Sequence, residues 1–447
     1  MADCTQERQP AQLDLEAPLL GEESEAKIKK SLALLSAQVD LEGSANYSKA
    51  LKRKRVIRSA EDLLRLVMVY ALTDLSCRMV GLWATVMDWG SLSKTGVRKR
   101  LQNCQRWIGM LIVQVLLAGK LELPQSNGLR LRLFDASSVS QPGSHTTDWR
   151  LHLGFDLGSK RMTDIALTDG KQAESLTRWH FTPGELCLAD RYYGTPRGLG
   201  VLLGAMATFI IRIGWRNLPV QNRDGQPFPL ADWLKVQSTD PSAPPAQVLV
   251  WVKTPQGRFP VRVIARAIPP EKADLQRKRL RAEAKRKKTN QDDRTLLAAG
   301  FVMLVTNLPE TWLPAQVLSL YRFRWQIELV FKCLKSILNF DHLRAKDPEL
   351  AQVYLLTKLL ISLLLTEAQW RLVFLAQDAF SDPEHPLSLW RFSQLVLEAF
   401  RTSVCGCLTW ERIIAHLPLL KRYLCDDPRR RISQLVSLCN LTRSYGC

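Results

Sequence analysis

The sequence predicts an α/β protein, with a sheet-forming middle flanked by helical N- and C-terminal regions. Three observations lead there. Apolar residues recur at helical spacing from Ser59 to about position 122 and again after 346. Between them, "LRLRLFDASSV", "WRLHLGFDLG" and "RMTDIALTDG" alternate at period two and are separated by Gly-containing turns. Strand-like and helix-like stretches then alternate through "GELCLADRYYG", "TPRGLGVLLG" and "ATFIIRIG", the pattern of an α/β sheet. A chain of 447 residues, 46% hydrophobic, has material for a large core and several domains.

The elements follow in order. Residues 1–57 begin acidic, close on the basic "KALKRKRVIR" and show little periodicity, so a flexible arm is expected, with one short helix near Ile28 to Val39. The basic close serves either as a phosphate-contacting tail or as a solvated linker. A helical domain is expected over 58–122. "SAEDLLRLVMVYAL" opens with Ser59 as N-cap and Asp62 three residues on, a capping box. Two helices, the turn-like "DWGSLS" and a third helix carrying Lys94, Arg98, Lys99 and Arg100 resemble a helix-turn-helix, although such trihelical units also occur without DNA.

Three strands, a helical connection and a fourth strand ending at Asp190 then build the sheet, over 123–215 and again from 300 to 345. Between these parts, 216–299 reads as a β-rich basic insertion. "AQVLVWVKT" and "FPVRVIARAI" are a strand pair, followed by eight basic residues against one acidic from Leu275 to Lys288. Such a run is either a solvated face or a phosphate-binding one. Residues 346–447 are expected to be helical. The window "YLLTKLLISLLL" is short and interrupted by Lys358, so it reads as a buried helix and not a membrane span.

The formal net charge is +19, which favours a polyanionic partner, most simply nucleic acid. Ten cysteines show no zinc-type pairing, and the acidic first 25 residues are unlike a secretory leader. Reduced thiols in a cytoplasmic protein are expected.

Chemistry concentrates at "YRFRWQIELVFKCLKS". Tyr321, Arg324, Glu328 and Lys335 stand three, four and seven residues apart, and so within roughly 60° of arc on a helix. Phe323, Ile327, Val330, Phe331, Leu334 and Leu338 form the opposite, core-facing stripe. An ordinary solvated face with a Glu–Arg pair would account for the charges, but not for Tyr321 and Trp325 among them. Two further acids sit at strand ends: Asp135 in "LFDASSV" and Asp190 in "LADRYYG". Each has a bland role, Asp135 capping the Ser-rich turn and Asp190 pairing with Arg191. Together with Glu328 they could hold two Mg²⁺ ions about 3.5–4 Å apart for in-line displacement at phosphorus. Hard oxygen donors suit Mg²⁺ or Mn²⁺ better than zinc.

The spacing Tyr, two residues, Arg, three residues, Glu, six residues, Lys is matched without a gap. In this, and in the contexts of Asp135 and Asp190, the chain resembles the DDE transposases of the fourth insertion-sequence family over roughly residues 59 to 345. The resemblance implies a ribonuclease H-like core with Asp135, Asp190 and Glu328 as catalytic metal ligands and a β-rich domain inserted before the glutamate. It also implies that Tyr321, Arg324 and Lys335 grip phosphates near the cleaved end. Trp325 would pack at the strand terminus, with Lys332, Arg191 and Arg212 as further DNA contacts. Relatives hold a flipped base with a tryptophan of the inserted domain; Trp251 and Trp312 are the candidates.

The implied activity is cut-and-paste movement of an insertion sequence. Water attack at the terminal inverted repeats frees a 3′-OH, which then joins target DNA, through a hairpin in studied relatives. The implied assembly is a homodimer on two double-stranded DNA ends, in the bacterial cytoplasm at the nucleoid, with the C-terminal region serving dimerisation. The alternatives are a transposase-derived DNA-binding protein or inhibitor without catalysis, and a metal-dependent DNA nuclease that cuts without joining. A two-carboxylate glycosidase leaves the cationic stripe without a purpose.

Overall fold

The computed structural model describes residues 39–121, 129–144, 146–375, 388–406 and 415–416. The architecture is mixed α/β. Nine strands form one sheet in the order β3-β2-β1-β4-β5-β9-β8-β7-β6. They are β1 Arg130–Val139, β2 Trp149–Asp156, β3 Arg161–Asp169, β4 Glu185–Ala189, β5 Thr208–Ile213, β6 Val220–Gln221, β7 Ala246–Thr254, β8 Gly257–Ala267 and β9 Phe301–Thr306. β1, β4 and β5 run parallel, and the other pairings are antiparallel.

The period-two side-chain alternation divides two apolar layers. Leu133, Leu186, Leu188, Ile210 and Leu304 face one layer, whereas Phe134, Cys187, Ala189, Phe209 and Ile211 face the other. The first layer continues into helices: α5 Gln105–Leu121 and, late in the chain, α12 Pro348–Leu375 pack on β3, and α2 Ala60–Leu72, α3 Cys77–Val86 and α4 Lys94–Asn103 pack on those helices or on one another. The expected capping box of α2 is present, Ser59 Oγ accepting from Asp62 N–H and the Asp62 carboxylate accepting from Ser59 N–H. α4 buries only Val97 and Leu101, as a helix with one dry face should. Its Arg98 pairs with Asp347 at 2.5 Å, just ahead of α12, and so is engaged within the fold. The stretch Pro348–Gln369 is long and apolar enough to cross a membrane, but 78% of its most apolar window is buried in the fold. Lys358 sits inside it at 3% exposure and donates to the carbonyl of Asn339, 2.8 Å away.

Several expectations need correction. Residues 39–57 are not an arm throughout: α1 Leu41–Tyr47 docks on α5, Trp107 donating to Ser44 Oγ at 2.9 Å, with Ala45, Leu51 and Ile57 buried. The helix read near Ile28 lies outside the described residues, apart from Val39, as does most of 407–447. The connection from 170 to 184 contains one 3-10 turn, Leu176–Arg178, and no α-helix. The strands of 216–299 do not stand apart from the core sheet. β8 pairs with β9 from Arg262 opposite Thr306 to Ala267 opposite Phe301, because its apolar residues continue both layers. The basic run lies on α8 Pro270–Lys287.

Candidate active site

Asp135 was expected at a strand end, yet β1 runs on to Val139. Ser137, Ser138 and Val139 continue the ladder with Leu151, Arg150 and Trp149 of β2, pairing that the sequence does not display. The parallel partner does stop there. The β1–β4 register ends with Phe134 opposite Ala189, so Asp135 and Asp190 are the next residues on adjacent parallel strands. By alternation both project on the face of Leu133 and Leu188. Ala189 is the last residue of β4, and Asp190 leads into the 3-10 turn Arg191–Tyr193 without capping it with its side chain. Among the described residues Asp190 makes no ion pair, so the expected bland pairing with Arg191 is absent.

The third acid arrives from the same face. α10 Pro314–Tyr321 and α11 Trp325–Leu338 are joined by a 3-10 turn, Arg322–Arg324, so the expected single helix is two helices in near continuation. Ile327, Phe331, Leu334 and Leu338 seat α11, which packs on β1 and puts Glu328 in its first turn. Phe323 breaks the expected core stripe: in the 3-10 turn it is exposed, as is Trp325.

Arg324 connects the acids. Its guanidinium donates to Asp135 Oδ2 at 3.4 Å and to Glu328 Oε1. It also lies 5.9 Å from the ring centroid of Tyr321, whose buried phenol is pushed above its ordinary range by burial. Burial raises the Asp135 carboxyl to about 6; its bond from Ala136 N–H and Arg324 oppose the rise, and Asp190 and Glu328 add to it. Among the described residues no three of His, Cys, Asp and Glu converge as a ready metal cage. The cation standing between two of the acids is Arg324.

The remaining candidates lie around this centre. Lys335 is half-buried one turn past Phe331 on α11, and Lys332 is exposed, its Nζ 5.8 Å from the ring of Trp390 on α13 Leu389–Cys405. Arg191 is exposed beside the Tyr192 ring, 5.4 Å away. Arg212, two residues beyond Ile210 on β5, shares the site face and lines a cavity of about 340 Å³ with Asp190 and Arg191. Trp251 is on β7 with Arg258 over its ring at 5.5 Å, and the Trp312 carbonyl accepts from Arg262 at 3.1 Å. A fourth carboxylate escaped the sequence reading. Glu174, in the connection before β4, is raised to about 6 by burial and by Asp135, with Asp190 adding to it. Nothing in "KQAES" marks it, because loop residues reach a site through tertiary placement alone.

Carboxylates within β1 and just past the end of the adjacent β4, rimmed by arginine, lysine and exposed aromatics in a strongly basic chain, define the class as an enzyme acting on nucleic acid. A family model described as the transposase DDE domain matches residues 126–364. The chain is 38% identical over 344 residues to the transposase for insertion sequence element IS421 of Escherichia coli, covering 75% of this chain and 92% of that protein. InsL of insertion sequence element IS186A from Escherichia coli (strain K12) is likewise 38% identical, over 343 residues and the same shares. The transposase for IS231F of Bacillus thuringiensis subsp. israelensis is 25% identical over 372 residues, 74% of this chain and 77% of that one. The chain belongs to the DDE transposases of the fourth insertion-sequence family, enzymes that cut and rejoin DNA.

Proposed function

We propose that Asp135, Asp190 and Glu328 are the catalytic ligands of two divalent ions, Mg²⁺ with Mn²⁺ able to substitute, and that the enzyme moves its insertion sequence by cut and paste. The observation that carries this is the register of β1 and β4. It sets two aspartates side by side on the face where α11 delivers Glu328. The donor set fits hard divalent ions, being all oxygen, and burial raises the Asp135 carboxyl, with the neighbouring Asp190 and Glu328 adding to the rise. The strand order β3-β2-β1-β4-β5, with β1, β4 and β5 parallel, supports a ribonuclease H-like core over 123–215 and 300–345, extended by the strands of 216–299.

When bound, such ions supply Lewis-acid polarisation of the scissile phosphate and of the attacking oxygen. The chain's own residues position the DNA. Arg324 and Lys335 hold non-bridging phosphate oxygens beside the cluster, Tyr321 braces the Arg324 guanidinium, and exposed Trp325 stacks at the strand terminus. Lys332, Arg191 and Arg212 are further phosphate contacts. Water displaces the 3′-oxygen at the element's terminal inverted repeat, breaking that P–O bond and leaving a 3′-OH. That hydroxyl then attacks a target phosphodiester, forming one P–O bond as another breaks. The helical region 58–122 reads the ends, and two protomers pair two double-stranded DNA ends, working at the nucleoid in the cytoplasm.

The test is end cleavage with Mg²⁺ on labelled DNA carrying the terminal repeats, wild type beside Glu328→Gln. Nicking at the repeat ends, lost in Glu328→Gln while binding persists, is expected. Equal binding with cleavage by neither protein would replace this reading with that of a DNA-binding protein without catalysis.

A further inference from the structure

The acid cluster is flanked by two cationic elements that differ in what they join. On one side, α11 is continuous with the helical region. Lys358 of α12 bonds the carbonyl of Asn339 at the end of α11, and Arg344 bonds the carbonyls of Thr73 and Leu75 where α2 turns into α3. Arg98 of α4 pairs with Asp347. DNA read by that region and cut at the cluster therefore runs along the α11 side. On the other side, across β5 and β9, lies α8. Its Gln276, Arg279 and Leu280 close the cavity that opens on Asp190, Arg191 and Arg212, and Glu283 is within electrostatic reach of Arg191.

α8 seats itself with little: Ala273 and Ala284 are its buried residues, and Arg277 donates to the Leu296 carbonyl at 3.1 Å. Eight cations are exposed along it and the residue that caps it, against Glu271, Asp274 and Glu283. Three of the cations, Lys272, Arg279 and Arg286, recur every seven residues. They fall within about 40° of arc, some 10.5 Å apart along the axis, on the flank of Gln276 and Glu283 that borders the site. A row spanning about 21 Å corresponds to roughly six base-pair rises along a DNA axis. Joining a 3′-OH to a new phosphodiester needs two DNA segments at one cluster, and the α11 side is already occupied by the end.

We propose that the Lys272–Arg279–Arg286 flank of α8 is a second DNA track, which holds the backbone of the target duplex while the α11 side holds the transposon end. The inference rests on the reading of the acid cluster as the catalytic site. The test uses full-length protein carrying Glu328→Gln, loaded with end DNA, and reads capture of a fluorescent duplex lacking the end sequence by anisotropy. Lys272→Gln/Arg279→Gln/Arg286→Gln weakens capture at least tenfold and lowers its log–log salt slope by roughly three. End binding stays within twofold. The opposite-flank triple, Lys278→Gln/Arg281→Gln/Lys285→Gln, removes the same charge and leaves capture within twofold; both triples change only exposed residues, and matching melting temperatures verify their folding. Loss of end binding in parallel with capture, equal losses in the two triples, or no loss in either would each overturn the proposal. Failure of the catalytic reading registers separately, as wild-type protein that does not nick its ends with Mg²⁺.

Discussion

Arg324 donates to Asp135 across 3.4 Å, joining residues 189 apart in sequence, and reaches Glu328 with its other terminal nitrogen. One guanidinium thus balances two of the three acids. With the acids as the metal ligands proposed above, a divalent ion and Arg324 would compete for the same oxygens, and a DNA phosphate would compete for Arg324.

The first prediction is a linkage. Arg324→Gln binds Mn²⁺ more tightly than wild type when no DNA is present, by about fivefold to 100-fold, the usual range of a coupling free energy. In wild type, end DNA raises Mn²⁺ affinity by drawing the guanidinium away; in Arg324→Gln that enhancement shrinks. Calorimetric Mn²⁺ titrations with and without DNA check both. Equal affinity in the two proteins would show that Arg324 does not oppose metal entry.

Glu174 gives the second prediction. Burial raises its carboxyl to about 6, with the charges of Asp135 and Asp190 adding to the rise. Glu174→Gln removes negative charge from the cluster and lowers Mn²⁺ affinity severalfold, with the melting temperature unchanged. An unaltered titration would assign Glu174 to the loop alone.

The third concerns the other end of β1. Arg132, 3% exposed, pairs with Glu185 at 2.7 Å and with Asp164, and donates to the His180 carbonyl at 3.0 Å. Arg132→Met leaves buried Glu185 only the longer pairing with Arg130, at 3.5 Å, and costs about 1–3 kcal/mol in denaturant unfolding. A loss below 1 kcal/mol would mean that Glu185 is readily resolvated.

The fourth is a pH dependence. Burial, with Arg344 adding to it, lowers the Lys358 amine to about 7, whereas an unfolded lysine titrates near 10.4. Between those values the unfolded chain holds a proton that the folded chain lacks, so this group makes unfolding harder as pH rises. The melting temperature of wild type relative to Lys358→Met therefore climbs from pH 7 to pH 10. A flat difference would mean that the buried amine keeps its proton.

Legibility followed how local each signal was. Asp190 was readable because a run of apolar residues stops at it and a turn begins. Glu328 was readable because helical spacing fixes its relation to Ile327, Phe331 and Leu334. The sequence puts Asp135 at a strand end, since the β2 pairing that carries β1 through Ser137 and Ser138 is non-local. Phe323 falls on the core stripe of one unbroken helix, but the 3-10 turn interrupts that helix. Glu174 and the docking of residues 39–57 depend on contacts with distant chain, where local periodicity carries no information.

The most direct test of the central claim is anomalous diffraction from crystals of the protein with end DNA and Mn²⁺. Two manganese peaks about 3.5–4 Å apart are expected among Asp135, Asp190 and Glu328, with Arg324 turned onto a phosphate. Manganese bound elsewhere, with Arg324 still joining Asp135 to Glu328 in the DNA complex, would contradict it.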